Sequence, residues 1–147
     1  MTRARGAAIG MALADCRLLA LPRIEAEHGN LTYIECPQQV PFAIRRVFFL
    51  DAVPGDARRA GHALRTCTQL IVAAAGSFDV QLDDGVERRL MRLERSSEGL
   101  LVPPLTWCEL ERFSPGALCL VLASEPFDEQ GYVRSYDGFR ALVARGG

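Results

Sequence analysis

Several things that would assign the chain to a common class are scarce or missing. It has only two histidines, His28 and His62, in 147 residues. A metal centre needs roughly three or four His and carboxylate ligands converging on one point. No second histidine lies near His62, and the position two residues on is Leu64. No metal site and no cofactor are expected. Charge of one sign is also missing: the formal net charge is −1 and the pI about 6.1. A nucleic-acid partner would call for a basic domain or stripe, so none is expected. No apolar run approaches the roughly 20 residues of a membrane span, and no membrane partner is expected.

The five cysteines (Cys16, Cys36, Cys67, Cys108 and Cys119) are odd in number, and no two are closely spaced. That is neither a zinc nor a redox motif, and it falls short of a disulfide-stapled secreted domain. Reduced thiols in a cytoplasmic protein are the expectation. Arg3 and Arg5 precede a mildly apolar run, Gly6 to Ala14, which Asp15 and Arg17 interrupt. No small-residue cleavage site follows. This stretch reads as a short extension, with Met11 a candidate start. The expected division is an extension over 1–14, one domain over 15–140 and a tail over 141–147, because this length suits a single core.

What is present reads as strands. Leu31 to Glu35 is a short extended segment, closed by Pro37 and Pro41. Ile44 to Leu50 is apolar and aromatic enough for another. Asp51 to Arg59, with Pro54-Gly55, is a loop. Gln69 to Ala75 is a continuous apolar run ending at Gly76-Ser77. Phe78, Val80 and Leu82 alternate with Asp79, Gln81 and Asp83, the period of a strand. Asp84-Gly85 signals a hairpin, and Val86 to Leu93 returns. Gly99 to Val102, Thr106 to Phe113 and Ala117 to Ala123 complete the set, with turns between them. About seven or eight short strands with no helix between them argue for a sandwich or barrel, jelly rolls included. Helical character is confined to Asp137–Ala144.

Three groups of residues could carry chemistry. His62 is read at the start of a strand, just after a loop, and can exchange a proton near neutrality; a lone histidine is more commonly structural. Arg45-Arg46, Arg58-Arg59 and Arg65 offer guanidinium forks suited to phosphate, or plain surface charge. With period two, Arg46 and Phe48 share one face of their strand. Trp107, Cys108 and Glu109 form the last cluster. Trp107 could stack on a ligand or belong to the core, Glu109 could orient a histidine or bind a sugar hydroxyl, and Cys108 suits a small buried position.

The ordered series of segments resembles the dTDP-4-keto-6-deoxyhexose 3,4-ketoisomerases. The resemblance runs from about Asp15 to Phe139. It rests on Gly29-Asn30-Leu31, Pro41-Phe42-Ala43-Ile44-Arg45-Arg46-Val47-Phe48-Phe49, Arg59-Ala60-Gly61-His62-Ala63 and Gly76-Ser77. It continues through Leu82-Asp83-Asp84-Gly85, Gly99-Leu100, Trp107, Phe113-Ser114 and Val121-Leu122-Ala123-Ser124. It ends in Phe127-Asp128-Glu129, Tyr132-Val133-Arg134 and Tyr136.

This resemblance implies an all-β cupin jelly-roll barrel with a short C-terminal helix. It implies a homodimer with exchanged N-terminal strands, a dTDP-linked keto-sugar as substrate, and no metal. The implied reaction moves a ketone from carbon 4 to carbon 3, with His62 as the acid/base. Arg46, Phe48, Arg59, Arg65, Gln69, Trp107, Cys108 and Glu109 are the expected substrate-binding residues. Three positions depart from the family pattern. Leu64 replaces the second histidine of a His-Ala-His run, Phe48 and Phe49 carry no tyrosine hydroxyl, and Cys108 stands where His or Arg is common. These departures motivate an alternative, a non-catalytic nucleotide-sugar-binding cupin or accessory subunit. A third reading is a related isomerase or epimerase acting on another nucleotide sugar.

Overall fold

The computed structural model describes residues 13–146, so Met11 and most of the expected extension lie outside the described residues. The N-terminal part holds β1 (Arg17–Ala20) and a hairpin of β2 (Arg23–Ala26) and β3 (Gly29–Thr32). Then come β4 (Arg46–Leu50), β5 (Arg59–Leu64), β6 (Gln69–Ala75), β7 (Phe78–Asp83) and β8 (Arg88–Leu93). They are followed by β9 (Glu98–Val102), β10 (Trp107–Glu111) and β11 (Leu118–Ala123). A 3-10 turn (Glu129–Gly131), β12 (Tyr132–Val133) and α1 (Tyr136–Ala144) end the described chain.

The strands form two five-stranded sheets, ordered β1-β9-β6-β11-β4 and β12-β5-β10-β7-β8, with β2-β3 as a separate pair. Stripped of their edge strands β1 and β12, the sheets read β9-β6-β11-β4 and β5-β10-β7-β8. That interleaving of eight consecutive strands is the double Greek key of a jelly roll, as the sequence led us to expect. The short strands β1, β2 and β12 were not foreseen, and β3 begins two residues before its expected start. Every pairing is antiparallel.

Burial explains which runs were easiest to read. In β6, Ile71 and Ala73 enter the core between the sheets, while Leu70 and Val72 pack outward with Leu21, Val40, Leu101 and Leu122. Both faces are covered, so the run has no polar alternation. In β7, Phe78, Val80 and Leu82 fill the central core. The Asp84-Gly85 turn is held by its own side chains: Asp83 Oδ1 accepts from Gly85 N at 2.7 Å and Asp84 Oδ1 from Val86 N at 2.8 Å. Gly85 has φ +96°, and an added Cβ would meet Val143 Cγ2 at 2.6 Å.

The second sheet carries α1 on its outer face. Ser135 caps the helix by accepting from Gly138 N at 3.1 Å. Phe139 and Val143 then pack against Ala63, Trp107 and Val133. The helix runs to Ala144, and Val143 is buried, so the folded unit continues into the stretch expected as tail. No helix among the described residues is long and apolar enough to cross a membrane.

Candidate active site

A cavity of about 300 Å³ opens between the sheets, lined by residues of β4, β5, β6, β10, β11 and β12. Phe48, Leu50, Ile71, Leu110 and Val121 give it apolar walls; His62, Gln69, Cys108, Tyr132 and the arginines Arg58, Arg59 and Arg134 supply its polar groups. No carboxylate is among the described lining residues.

The strand that presents His62 is irregular at that point. Cys108 pairs with His62, but the next residue, Glu109, pairs with Ala60, which leaves Gly61 as an extra residue. Ala60 and Gly61 are both left-handed, at φ 65° and 77°. For a residue with a Cβ, such as Ala60, that conformation costs roughly 1–2 kcal/mol. A bulge of this kind re-aims the following side chain. Here it sends His62 inward, beside Cys108.

His62 is largely buried, and burial pushes its pKa below the ordinary histidine value. The guanidinium of Arg134 and, less strongly, that of Arg46 act the same way. The imidazole is therefore held in its neutral, proton-accepting form near neutrality. Its Nδ1 is buried without a hydrogen-bond partner. The ring meets Tyr132 edge-on, with centroids 4.9 Å apart.

Tyr132 reaches the site because β12 pairs with the outer edge of β5, Tyr132 opposite Leu64. That register puts Tyr132 on the inner face and Val133 on the outer face beneath the helix. Arg46 Nη1 donates to the Tyr132 hydroxyl at 3.2 Å. The Arg46 guanidinium also lies 5.2 Å from the Phe48 ring and 5.7 Å from that of Phe127. Arg134 sits 4.4 Å over the Tyr132 ring. Its fork is fixed by Glu129, Nε to Oε2 at 2.6 Å and Nη2 to Oε1 at 2.9 Å.

Six of the expected site residues thus come together. His62, Phe48, Arg59, Gln69 and Cys108 line the cavity, and Arg46 reaches it through Tyr132. Three do not. Trp107 and Glu109 flank Cys108 in β10 and so point to the opposite face. Trp107 packs on Phe139, centroids 5.8 Å apart, and its Nε1 donates to Glu109 Oε2 at 2.8 Å. Glu109 lines an outer recess with Gln81, Asp83, Arg88 and Tyr136. Arg65 lies just past β5 and donates from Nε to the Gln130 carbonyl at 3.2 Å, tying the 3-10 turn in place. None of these three lines the cavity: Trp107 and Glu109 lie on the other face of the sheet, Glu109 reaching the cavity only through Arg58, whose Nη1 donates to its Oε1 at 3.3 Å, and Arg65 is bonded to the backbone.

Arg58 was named only within the Arg58-Arg59 pair, and Tyr132 and Arg134 were not singled out as site residues from the sequence. A two-residue strand has no readable period. The one available signal was their place in the Tyr132-Val133-Arg134 segment. Leu64 is buried with Cys67 and Ala123 and makes an apolar floor beside His62. Among the described residues, no three His, Cys, Asp or Glu side chains are grouped to hold a metal ion.

A jelly roll whose inter-sheet cavity pairs one histidine with several arginines defines a small-molecule enzyme site suited to an anionic ligand. The chain belongs to the FdtA family (WxcM-like, C-terminal), whose family model matches residues 14–144. It is 34% identical over 129 residues, 88% of this chain and 93% of the relative, to the TDP-4-oxo-6-deoxy-alpha-D-glucose-3,4-oxoisomerase of Aneurinibacillus thermoaerophilus. It also resembles QdtA, a sugar 3,4-ketoisomerase of Thermoanaerobacterium thermosaccharolyticum solved in complex with TDP. That match has a TM-score of 0.88 and 33% identity, over 90% of this chain and 97% of that one. The WlaRB TDP-quinovose 3,4-ketoisomerase of Campylobacter jejuni aligns with a TM-score of 0.83 and 35% identity, over 86% of this chain and 98% of that one.

Proposed function

We propose that the protein is a sugar 3,4-ketoisomerase. It moves the ketone of a TDP-linked 4-keto-6-deoxyhexose from carbon 4 to carbon 3. The observation that carries this is His62, its pKa lowered by burial, in a cavity edged by several arginines and, among the described residues, lined by no carboxylate. A ketone at carbon 4 acidifies the proton on carbon 3. A neutral imidazole within reach removes it, and the resulting imidazolium, whose proton exchanges with solvent, delivers one to carbon 4. Arg59 suits the diphosphate, since a planar fork binds phosphate oxygens bidentately, while Arg58, paired with Glu109 and Glu111, and Arg134, held by Glu129, add positive charge at the cavity edge. Phe48, Ile71 and Val121 supply apolar walls that exclude water.

The test is incubation with TDP-4-keto-6-deoxyglucose in deuterated water, followed by NMR at carbons 3 and 4. Product formation with deuterium entering the ring is expected, and His62→Asn removes both. Stabilisation by TDP with neither product nor exchange supports the non-catalytic reading instead.

Two further parts belong to this proposal. The enzyme is cytoplasmic; Cys36, Cys67, Cys108 and Cys119 are unbridged, which suits that compartment. It is a homodimer with exchanged N-terminal strands. The β2-β3 hairpin joins neither sheet, and its Ile24 and Leu31 are exposed, as are Val47 and Phe49 on β4. Apolar area of this kind marks an association surface. Light scattering should return twice the chain mass, and a concentration-independent monomer refutes the dimer.

A further inference from the structure

We propose that Tyr132 is a second catalytic residue, the acid and base for the two sugar oxygens, with Arg46 as its positioning residue. This rests on the ketoisomerase reading and deepens it. Moving one proton between carbons is half of the reaction. The carbon 4 oxygen must also gain a proton, and the carbon 3 oxygen must lose one. His62 cannot hold the carbon-derived proton and serve the oxygens at the same moment.

The lining of the cavity leaves one group for the task. Its guanidiniums, Arg58, Arg59 and Arg134, stay protonated at any working pH. Gln69 donates and accepts hydrogen bonds but does not ionise. Cys108 is buried, and burial pushes its thiol far above the ordinary cysteine value, so it neither yields nor carries a proton. The hydroxyls expected at 48 and 49 are absent, since both are phenylalanine. Tyr132 is the hydroxyl-bearing side chain among the described lining residues.

Its placement fits the role. The Tyr132 ring stands edge-on to His62 at 4.9 Å between centroids, so phenol and imidazole share one wall. Arg46 Nη1 donates to the phenol oxygen at 3.2 Å. An oxygen that accepts from a guanidinium keeps its own proton free to give away. The same guanidinium stabilises the phenolate left behind. Arg46 Nε is buried without a partner, and the guanidinium is sandwiched against Phe48 and Phe127, which fixes its direction. Arg134 over the Tyr132 ring adds a second positive charge beside that phenolate.

The steps balance with no outside reactant. His62 takes the carbon 3 proton, and the C–H electron pair forms the carbon 3–carbon 4 double bond. The carbonyl π pair moves onto the carbon 4 oxygen, which takes the Tyr132 proton. The intermediate is an enediol facing an imidazolium and a phenolate. Its two oxygens sit on adjacent ring carbons and on the same edge, so one phenolate can serve both. Tyr132 then takes the proton from the carbon 3 hydroxyl, the carbon 3 carbonyl forms, and the double-bond pair takes the His62 proton at carbon 4. Both side chains return to their starting states.

The experiment is Tyr132→Phe, which keeps the ring, the pairing with Leu64 and the contact with His62. Expected is a loss of roughly 100-fold or more in kcat, the usual contribution of a positioned acid/base. KM and the thermal shift on adding TDP should hardly change. A second measurement places 3-fluorotyrosine at 132, whose phenol is more acidic. The alkaline limb of the kcat profile should move to lower pH, which a merely structural tyrosine would not cause. If Tyr132→Phe keeps wild-type kcat, or the limb stays put in the fluorinated protein, the assignment of Tyr132 is overturned while the ketoisomerase reading stands. If wild-type protein neither isomerises nor exchanges deuterium, the reading itself is overturned.

Discussion

The two faces of the β12-β5-β10-β7-β8 sheet make opposite use of similar residue types. The inner face carries His62, Cys108 and Tyr132 into a cavity edged by arginines. The outer face carries Trp107, Glu109 and Asp83 into a bonded network with Tyr136 of the helix. There the Tyr136 hydroxyl donates to Asp83 Oδ2 at 2.6 Å, and Arg88 Nε donates to the same oxygen at 3.0 Å. The outer tyrosine has a carboxylate acceptor for its proton. The hydroxyl of the inner tyrosine accepts from the Arg46 guanidinium and keeps its own proton available. The lesson is that a side chain's chemistry here follows from the face it occupies and the charge it meets.

That contrast can be broken from the inside first. His62→Asn should cost the largest factor, on the order of 10³ in kcat if His62 moves the carbon-bound proton, and deuterium exchange should vanish with it. A variant that still exchanges would remove the inner face from the chemistry. From the outside, Trp107→Ala should cost about 3–5 kcal/mol of stability, the usual price of truncating a buried Trp. The fraction that folds should retain kcat. Denaturant unfolding and single-turnover rates separate the two effects. Glu109→Gln keeps an acceptor for Trp107 Nε1 but removes the charge paired with Arg58, so kcat should hold while KM shifts slightly; a collapse of kcat would return Glu109 to the site.

The smallest effect concerns pH. His62 must be neutral to accept a proton, so activity is present above its pKa and lost as pH falls through it. Burial, then Arg134, lower that pKa, so the acid limb of kcat/KM should lie below the ordinary histidine value of ~6.5. Arg134→Met removes one positive neighbour. The His62 pKa then rises, and the acid limb should move to higher pH. An unmoved limb would show that Arg134 does not act on His62.

Much of the fold was legible in the sequence because burial imposes a period. The buried run of β6, the alternation of β7 and the Asp84-Gly85 turn all follow from which faces are covered. The strands that escaped notice are edge or hairpin strands. β2 is exposed throughout, and β12 spans two residues, so neither carries a hydrophobic pattern. The site was legible in part for a related reason. His62 stood out by rarity and by resemblance. The grouping of Trp107 with Cys108 and Glu109 failed, since neighbours in a strand face opposite ways.

By itself the sequence determined an all-β chain of short turn-linked strands, because local periodicity and turn chemistry are written in short segments; the jelly roll, the family and the weight placed on His62 came from the resemblance of the ordered segments. Only the tertiary structure decided what stands around that histidine. The Ala60-Gly61 bulge turns it inward, and a two-residue strand from the far end of the chain brings Tyr132 and Arg134 beside it. Both depend on pairing between residues distant in sequence, and sheet register has no local signature.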